Sequence, residues 1–245
     1  MEEVKGLTLP TKRIKSTRKD PRKLILYSPP KMGKTTVIAA LDDCLLIDLE
    51  GGSEFVDAMK VEAKDLTELN NICTAIEKAG KPYKFIAIDT ITKLEEMVHG
   101  YALKLYKSTT MGKNFVGTDV LTLPNGAGYL YLRKAFLTVL ARIESLAENV
   151  ILIGHLKDKM INSNGKEVNA KDLDLTGKLK AITCADADAI GYLHRVGNQT
   201  LVNFVSTDEV LCGSRCNHLK GKEIVLAESN DNGDIKVDWS KIYID

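Results

Sequence analysis

What the 245-residue sequence lacks narrows its class first. No stretch is apolar over the ~20 residues that a membrane-spanning helix requires. Charged residues also occupy the N-terminus, where a secretory signal would be hydrophobic. No membrane contact is expected, and the cytoplasm is the expected compartment. No sign of charge dominates, since 34 Lys and Arg oppose 33 Asp and Glu, so any nucleic-acid surface must be local. No internal repeat or low-complexity tract occurs. The five cysteines, Cys44, Cys73, Cys184, Cys212 and Cys216, are odd in number and fall mostly in expected strands or helices. They read as reduced thiols and not as a disulfide framework. Within "CGSRCNH", Cys212, Cys216 and His218 lie close enough to share zinc, but no second ligand pair follows. A structural zinc site usually needs four ligands, so ordinary hairpin residues are the simpler reading.

Charge is nonetheless uneven. The first 23 residues carry Lys5, Lys12, Arg13, Lys15, Arg18, Lys19, Arg22 and Lys23 against Glu2, Glu3 and Asp20. They have no apolar periodicity, and residues 1–22 are expected to form a basic arm. Thereafter short apolar runs recur at 23–27, 44–48, 84–89, 149–154, 187–194 and 200–206, with helical patterns at 34–41, 65–79 and 128–147. Continuous apolar strands separated by helix-length segments predict an α/β domain with a mostly parallel central sheet buried on both faces. The domain is expected to span 23–228, with a C-terminal β-hairpin extension and an acidic tail at 229–245. Two polar intervals, 99–128 and 156–180, break the rhythm and read as long loops, which in compact domains are commonly functional or disordered.

The chemistry concentrates in "KLILYSPPKMGKTTVIAAL", an apolar strand, a loop and a helix. This is the layout of the phosphate-binding loop G-x-x-x-x-G-K-[ST], formed here by Ser28, Pro29, Pro30, Lys31, Met32, Gly33, Lys34, Thr35 and Thr36. The first glycine is missing. Ser28 holds its place, and Pro29 and Pro30 lack N–H groups and stiffen the path. The donors that matter most come late, at Gly33, Lys34, Thr35 and Thr36, where successive N–H groups converge on anionic oxygens. Lys34 can reach the β and γ oxygens of ATP, and the Thr35 hydroxyl suits Mg2+.

Two further strand ends supply carboxylates. "KFIAIDTIT" places Asp89 after an apolar run, in the position of a magnesium-holding acid, although an aspartate capping the next helix would look the same. In "LLIDLEGG", alternation sets Asp48 and Glu50 on one side of the edge where open α/β sheets bind ligands. A glutamate there can polarise the water that attacks a γ-phosphate.

With "NVILIGHLKDK", these stretches resemble the strands that follow the P-loop in the RecA core. Residues 22–220 as a whole resemble the phage ATP-binding proteins, P-loop NTPases of the AAA class, related to the RecA-like single-strand annealing proteins of the Sak group. That resemblance implies a RecA-like core, with Glu50 as the catalytic carboxylate beside Lys34 and Asp89 as the Walker B acid. His155 stands where a polar residue, usually glutamine, senses the γ-phosphate; a structural histidine is the other reading. It also implies that two loops grip single-stranded DNA. Lys104, Lys107 and Lys113, with Tyr101, Tyr106 and Phe115, form one candidate surface, and Lys157, Lys159 and Lys166 lie in the other. Solvated loops remain the alternative from charge alone. In such assemblies a neighbour completes the site with a basic residue, for which Lys178, Lys180 and Arg215 are candidates, each of which also reads as ordinary surface.

The expected protein is an ATP- and magnesium-dependent RecA-like ATPase that binds single-stranded DNA and promotes annealing or strand exchange in phage recombination, within the bacterial host cytoplasm. A homo-oligomer or filament and a single-strand-binding protein are the implied partners. The rivals are a nucleotide-driven assembly module that touches no DNA and a small-molecule P-loop kinase. The kinase is the weaker rival, because no arginine cluster for a lid follows the start of the core.

Overall fold

The computed structural model describes residues 9–163 and 166–244, the side chains of 161–163 and 166–168 excepted. The chain enters through residues 9–20, which form neither helix nor strand and are mostly exposed. It then forms β1 (Lys23–Ser28), α1 (Lys34–Ala39), β2 (Cys44–Asp48), β3 (Lys60–Glu62), α2 (Leu66–Lys78), β4 (Phe85–Asp89), α3 (Ile91–Met97) and α4 (His99–Lys107). There follow α5 (Ala127–Glu144), β5 (Asn149–Ser163), β6 (Lys166–Leu173), α6 (Gly177–Asp186), β7 (Ala189–Val196) and β8 (Gln199–Asn203). The last strands are β9 (Gly213–Ser214), β10 (Glu223–Ser229) and β11 (Ile235–Val237).

Every residue of β1, β2 and β4 is buried, which is why they read as unbroken apolar runs and not as alternating ones. The strands lie in the order β11-β10-β8-β7-β1-β5-β4-β2-β3. From β7 to β3 all pairings are parallel, and β8, β10 and β11 continue the sheet antiparallel. Period-two alternation divides β1 between two cores. Ile25 and Tyr27 join α2, α3, α4 and α5 on one face, while Leu24 and Leu26 join α1 and the C-terminal segment on the other. The α/β class, the mostly parallel sheet and the C-terminal antiparallel strands are as the sequence leads one to expect.

Helix α2 begins where the cap pattern places it, because the Asp65 carboxylate accepts from the N–H groups of Thr67 and Glu68 at 2.7 and 2.9 Å. The two intervals expected as loops are different. Residues 99–107 form α4, and Tyr106 is buried against Phe115 and Tyr131, with ring centroids 5.7 and 5.3 Å apart. Its aromatic ring thus serves the core and not an exposed stacking platform. The interval 156–180 is largely a β-ribbon, in which β5 overshoots the sheet and returns as β6, Leu156 opposite Leu173 and Ser163 opposite Lys166. Its alternation escapes a composition-based reading because a two-stranded ribbon outside the sheet has little apolar surface to hide. At its root, a Cβ on Gly154 would lie 2.3 Å from Leu173 Cδ1, so a larger residue there would make that side chain shift.

The residues after 228 also depart from expectation. They are not a trailing tail, because β11 joins β10, and Trp239 and Ile242 are buried against α1 and β1. The Trp239 indole N–H donates to the Val37 carbonyl at 2.8 Å. At the other end Arg18 donates to Asn149 Oδ1 at 2.7 Å. Lys5 lies outside the described residues, as does the Lys166 side chain. Among the described residues no helix is long and apolar enough to cross a membrane.

Candidate functional site

Strand β1 delivers the loop at 28–36 to the C-terminal edge of the sheet. Gly33 takes φ 89°, a left-handed conformation that glycine adopts without steric cost, and Lys31 takes φ 62°. Ser28 is not among the positive-φ residues, so the turn does not need glycine at its first position. The serine instead contributes its side chain. Lys34 Nζ lies 3.1 Å from Ser28 Oγ, 3.3 Å from the Ser28 carbonyl and 3.0 Å from the Pro29 carbonyl. The Ser28 hydroxyl in turn donates to the Pro29 carbonyl at 2.9 Å. Burial holds the Lys34 ammonium below the usual lysine value, against the pull of Asp89 and Glu50. Pro30 and Lys31 are exposed, Met32 packs against the α1 face, and Thr36 sits on the first turn of α1.

Two strands away Asp89 ends β4, and Asp48 ends the next strand, β2, directly opposite it in the parallel register. The strand between β1 and β4 is β5, and it sets His155 abreast of Ser28. Asp89 Oδ2 accepts from Thr35 Oγ1 at 2.6 Å. Burial raises the Asp89 carboxyl above its ordinary value, and the charges of Glu50 and Asp48 raise it further, which the Thr35 hydrogen bond and Lys34 only partly offset.

Asp48 and Glu50 do not act as a pair on one extended edge, because the strand ends at Asp48 and the chain turns. Asp48 Oδ1 accepts from the N–H groups of Glu50 and Gly51 at 2.9 and 2.8 Å, and Oδ2 accepts from Ser53 N–H at 2.7 Å. Burial alone would raise this carboxyl, but the donors from Ser53, Glu50 and Gly51 outweigh it and hold Asp48 below the usual carboxylate range. Its work is to fold the turn that presents Glu50. Glu50 Oε1 then lies 2.8 Å from His155 Nε2 and accepts from Thr90 Oγ1 at 2.7 Å. Lys34, Thr35, Asp89, Glu50 and His155 are thus brought to one edge, where a phosphate chain, a divalent cation and an attacking water could be held together.

The sequence reading missed Thr90, which caps α3 through Lys93 N–H at 3.1 Å while holding Glu50. It also missed Thr92, whose hydroxyl accepts from His155 N–H at 3.2 Å and donates to the Asp174 carbonyl at 3.1 Å. Their signal was present in "DTIT", a pair of hydroxyls directly after the acid that ends the strand.

The remaining candidates are dispersed. Lys104 and Lys113 are exposed, and Lys107 lies 5.9 Å from the Phe115 ring. On the ribbon, Lys157 pairs with Asp174 at 3.1 Å, whereas Lys159 is exposed. Lys178 is exposed at the start of α6, Lys180 is held by Asp172, and Arg215 contacts the Ala185 carbonyl and Asp188. Two of the three cations suggested for a neighbour's site therefore have partners in their own chain. Cys212 and Cys216 pack on opposite faces of the sheet. Among the described residues no three or more His, Cys, Asp or Glu side chains are grouped so as to hold a metal ion by themselves.

A protein-family model described as an AAA domain matches residues 20–216. No curated protein matches the chain. Among solved structures, one described as the crystal structure of the RadB recombinase is similar, with a TM-score of 0.44 and 14% identity. The likeness covers 90% of this chain and 92% of that one.

Proposed function

The chain belongs to the AAA domain family of P-loop NTPases, and on that premise we propose that it is an ATP- and magnesium-dependent ATPase that binds single-stranded DNA and promotes annealing or strand exchange. The observation that carries the DNA coupling is continuity at His155. Its Nε2 lies 2.8 Å from the Glu50 carboxylate, and the same strand runs without interruption from His155 into Lys157 and Lys159 on the ribbon. A displacement of His155 by the γ-phosphate side of the site is thereby transmitted to the root of a basic ribbon.

The residues fit a magnesium ion. Asp89 is a buried carboxylate with a hydroxyl 2.6 Å away and two further acids raising its proton affinity, a place where a cation is favoured. Thr35 and Asp89 would hold it, and it would withdraw charge from the phosphate oxygens. Lys34 binds the phosphates, Glu50 takes the proton of the attacking water, and Thr90 with the Asp48-folded turn orients Glu50. His155 reports the state of Glu50 to β5. A neighbouring copy, assembling as an oligomer or filament, contributes Lys178 as the one suggested cation that has no partner among the described residues.

One observation favours the rival reading, an assembly module that switches protein partners: Lys157 and Lys180 are neutralised by Asp174 and Asp172. One experiment separates the two. ATP hydrolysis is measured with and without single-stranded DNA, and strand affinity is measured with ATP and with ADP. Stimulation by DNA and tighter binding with ATP support the annealing ATPase. Hydrolysis indifferent to DNA, with no nucleotide-dependent strand affinity at low salt, overturns it in favour of the assembly module. The Lys34→Ala variant should lose nucleotide binding while remaining folded, and retained binding of a fluorescent ATP analogue would move the site elsewhere.

A further inference from the structure

His155, Asp89 and Glu50 come from strands on the β5 side of β1; the β7 side supplies a cation that the sequence did not suggest. Strand β7 runs parallel to β1 with Tyr192 abreast of Tyr27. Because β1 ends at Ser28 whereas β7 continues to Val196, the last residues of β7 flank the loop itself. Their faces follow from period-two alternation. Ala189 and Leu193 pack with Val37 and Ile38 of α1, and Tyr192 packs on the opposite face. Arg195, two residues beyond Leu193, therefore continues the α1-side row toward the start of that helix. Its position is fixed by the hairpin, in which it pairs with Thr200 of β8.

The guanidinium arrives at the loop. Arg195 Nη2 lies 3.4 Å from where a Cβ on Gly33 would sit. Other arginines of the chain are engaged: Arg142 with Glu77, Arg215 with Asp188, and Arg18 with Asn149. The Arg195 side chain has no hydrogen bond or ion pair among the described residues and is exposed. The acids of the site stand on strands across β5, away from it. A guanidinium presents donors in a planar fork that fits two phosphate oxygens at once. The guanidinium therefore stands beside the glycine whose backbone lines the phosphate cradle.

We propose that Arg195 is a nucleotide-binding residue that clasps the phosphate chain of ATP held in its own chain's loop, opposite Lys34. The proposal rests on the reading that this loop binds a nucleoside triphosphate. It makes the phosphate clamp at least partly internal to one chain, independent of any neighbour.

The test uses the full chain with magnesium at low salt. ATP, ADP and AMP affinities are measured by displacement of a fluorescent ATP analogue for wild type, Lys34→Ala, Arg195→Ala and Arg195→Lys. Wild-type binding that Lys34→Ala abolishes establishes the nucleotide site. Arg195→Ala should then weaken ATP by about ten- to a hundredfold, the range for losing a charge-assisted hydrogen bond. The loss should shrink from ATP to AMP, and Arg195→Lys should recover part of it. Because the side chain is exposed, Arg195→Ala should melt with wild type. If wild type binds and Arg195→Ala binds ATP equally well, or loses ATP and AMP by the same factor, the phosphate role of Arg195 is overturned alone. Should wild type bind no nucleotide, both this role and the reading beneath it fall together.

Discussion

Glu50 carries its carboxylate between a threonine hydroxyl and an imidazole, 2.7 and 2.8 Å away. Glutamine at this position still accepts from Thr90 and still fills the same space. Glu50→Gln should therefore bind ATP as wild type does while turnover falls by about 10²–10⁴-fold, the usual weight of a general base. Unchanged turnover would assign proton removal to another group. Asp89 makes a second residue-scale prediction, this time about stability. A carboxylate whose value is raised on folding binds its proton more tightly in the native chain. Its stabilising contribution is greatest at low pH and is lost as pH climbs from the ordinary value of 3.8 through the raised native one. Asp89→Asn should thus be more stable than wild type at pH 7 without magnesium or nucleotide. A gain of about 2–4 °C in Tm corresponds to about 1 kcal/mol in a domain of this size. The two should converge toward pH 4, and a lower Tm for the variant at pH 7 would mean that attraction to Lys34 outweighs desolvation.

At the scale of elements, the C-terminal segment and the ribbon carry the consequences. Trp239 packs on α1 and donates to the Val37 carbonyl within that helix, so the segment after β10 braces the helix that begins at Lys34. Trp239→Ala should cost about 3–5 kcal/mol, as truncations of large buried aromatics do. Trp239→Phe keeps most of the packing and should cost roughly the 1 kcal/mol of one hydrogen bond. Chemical denaturation of both variants checks the difference, and equal destabilisation would mean that the hydrogen bond and not the packing dominates. On the ribbon, Lys157 and Lys159 alternate onto one face of β5. Replacing both with alanine should weaken single-strand binding with ATP and flatten its logarithmic salt dependence by about 1.4, roughly 0.7 for each phosphate that is no longer neutralised. An unchanged slope would exclude the ribbon from the strand's path.

For the whole molecule, the arrangement of the sheet decides what must come from outside. All the acids of the site lie on one side of β1 and Arg195 lies on the other, so one chain surrounds the loop on both flanks. On the proposed reading, a neighbouring copy would be needed less for binding ATP than for hydrolysing it. Nucleotide affinity should be independent of protein concentration, while specific ATPase activity should rise with concentration as copies assemble, a difference that titration alongside light scattering resolves. Specific activity constant across the assembly range would make the single chain sufficient.

Much of this was legible in the residues alone. Strands β1, β2 and β4 announce themselves because burial on both faces demands continuous apolar runs, and the loop at Gly33 to Thr36 because close approach to phosphate demands that spacing. Asp89 follows from its place at a strand end, and Glu50 from an acid pair at the close of an apolar run, although only the structure shows the turn that presents it. Other features had no local signal. Ser28 looks like a defect in the motif until the backbone at that position proves not to need glycine. Tyr106 reads as a stacking aromatic until Phe115 and Tyr131 enclose it. The ribbon of β5 and β6 hides among polar residues, and the terminal segment reads as tail because its anchors, Trp239 and Ile242, are too sparse to set a period. Arg195 is far from Gly33 in sequence, and only the parallel pairing of β7 with β1 brings them together. Sequence determines those elements whose chemistry is local, through periodicity and loop geometry. Tertiary structure alone decides which distant side chains share an edge, because strand order and register arise from packing the whole sheet and are written in no single segment of it.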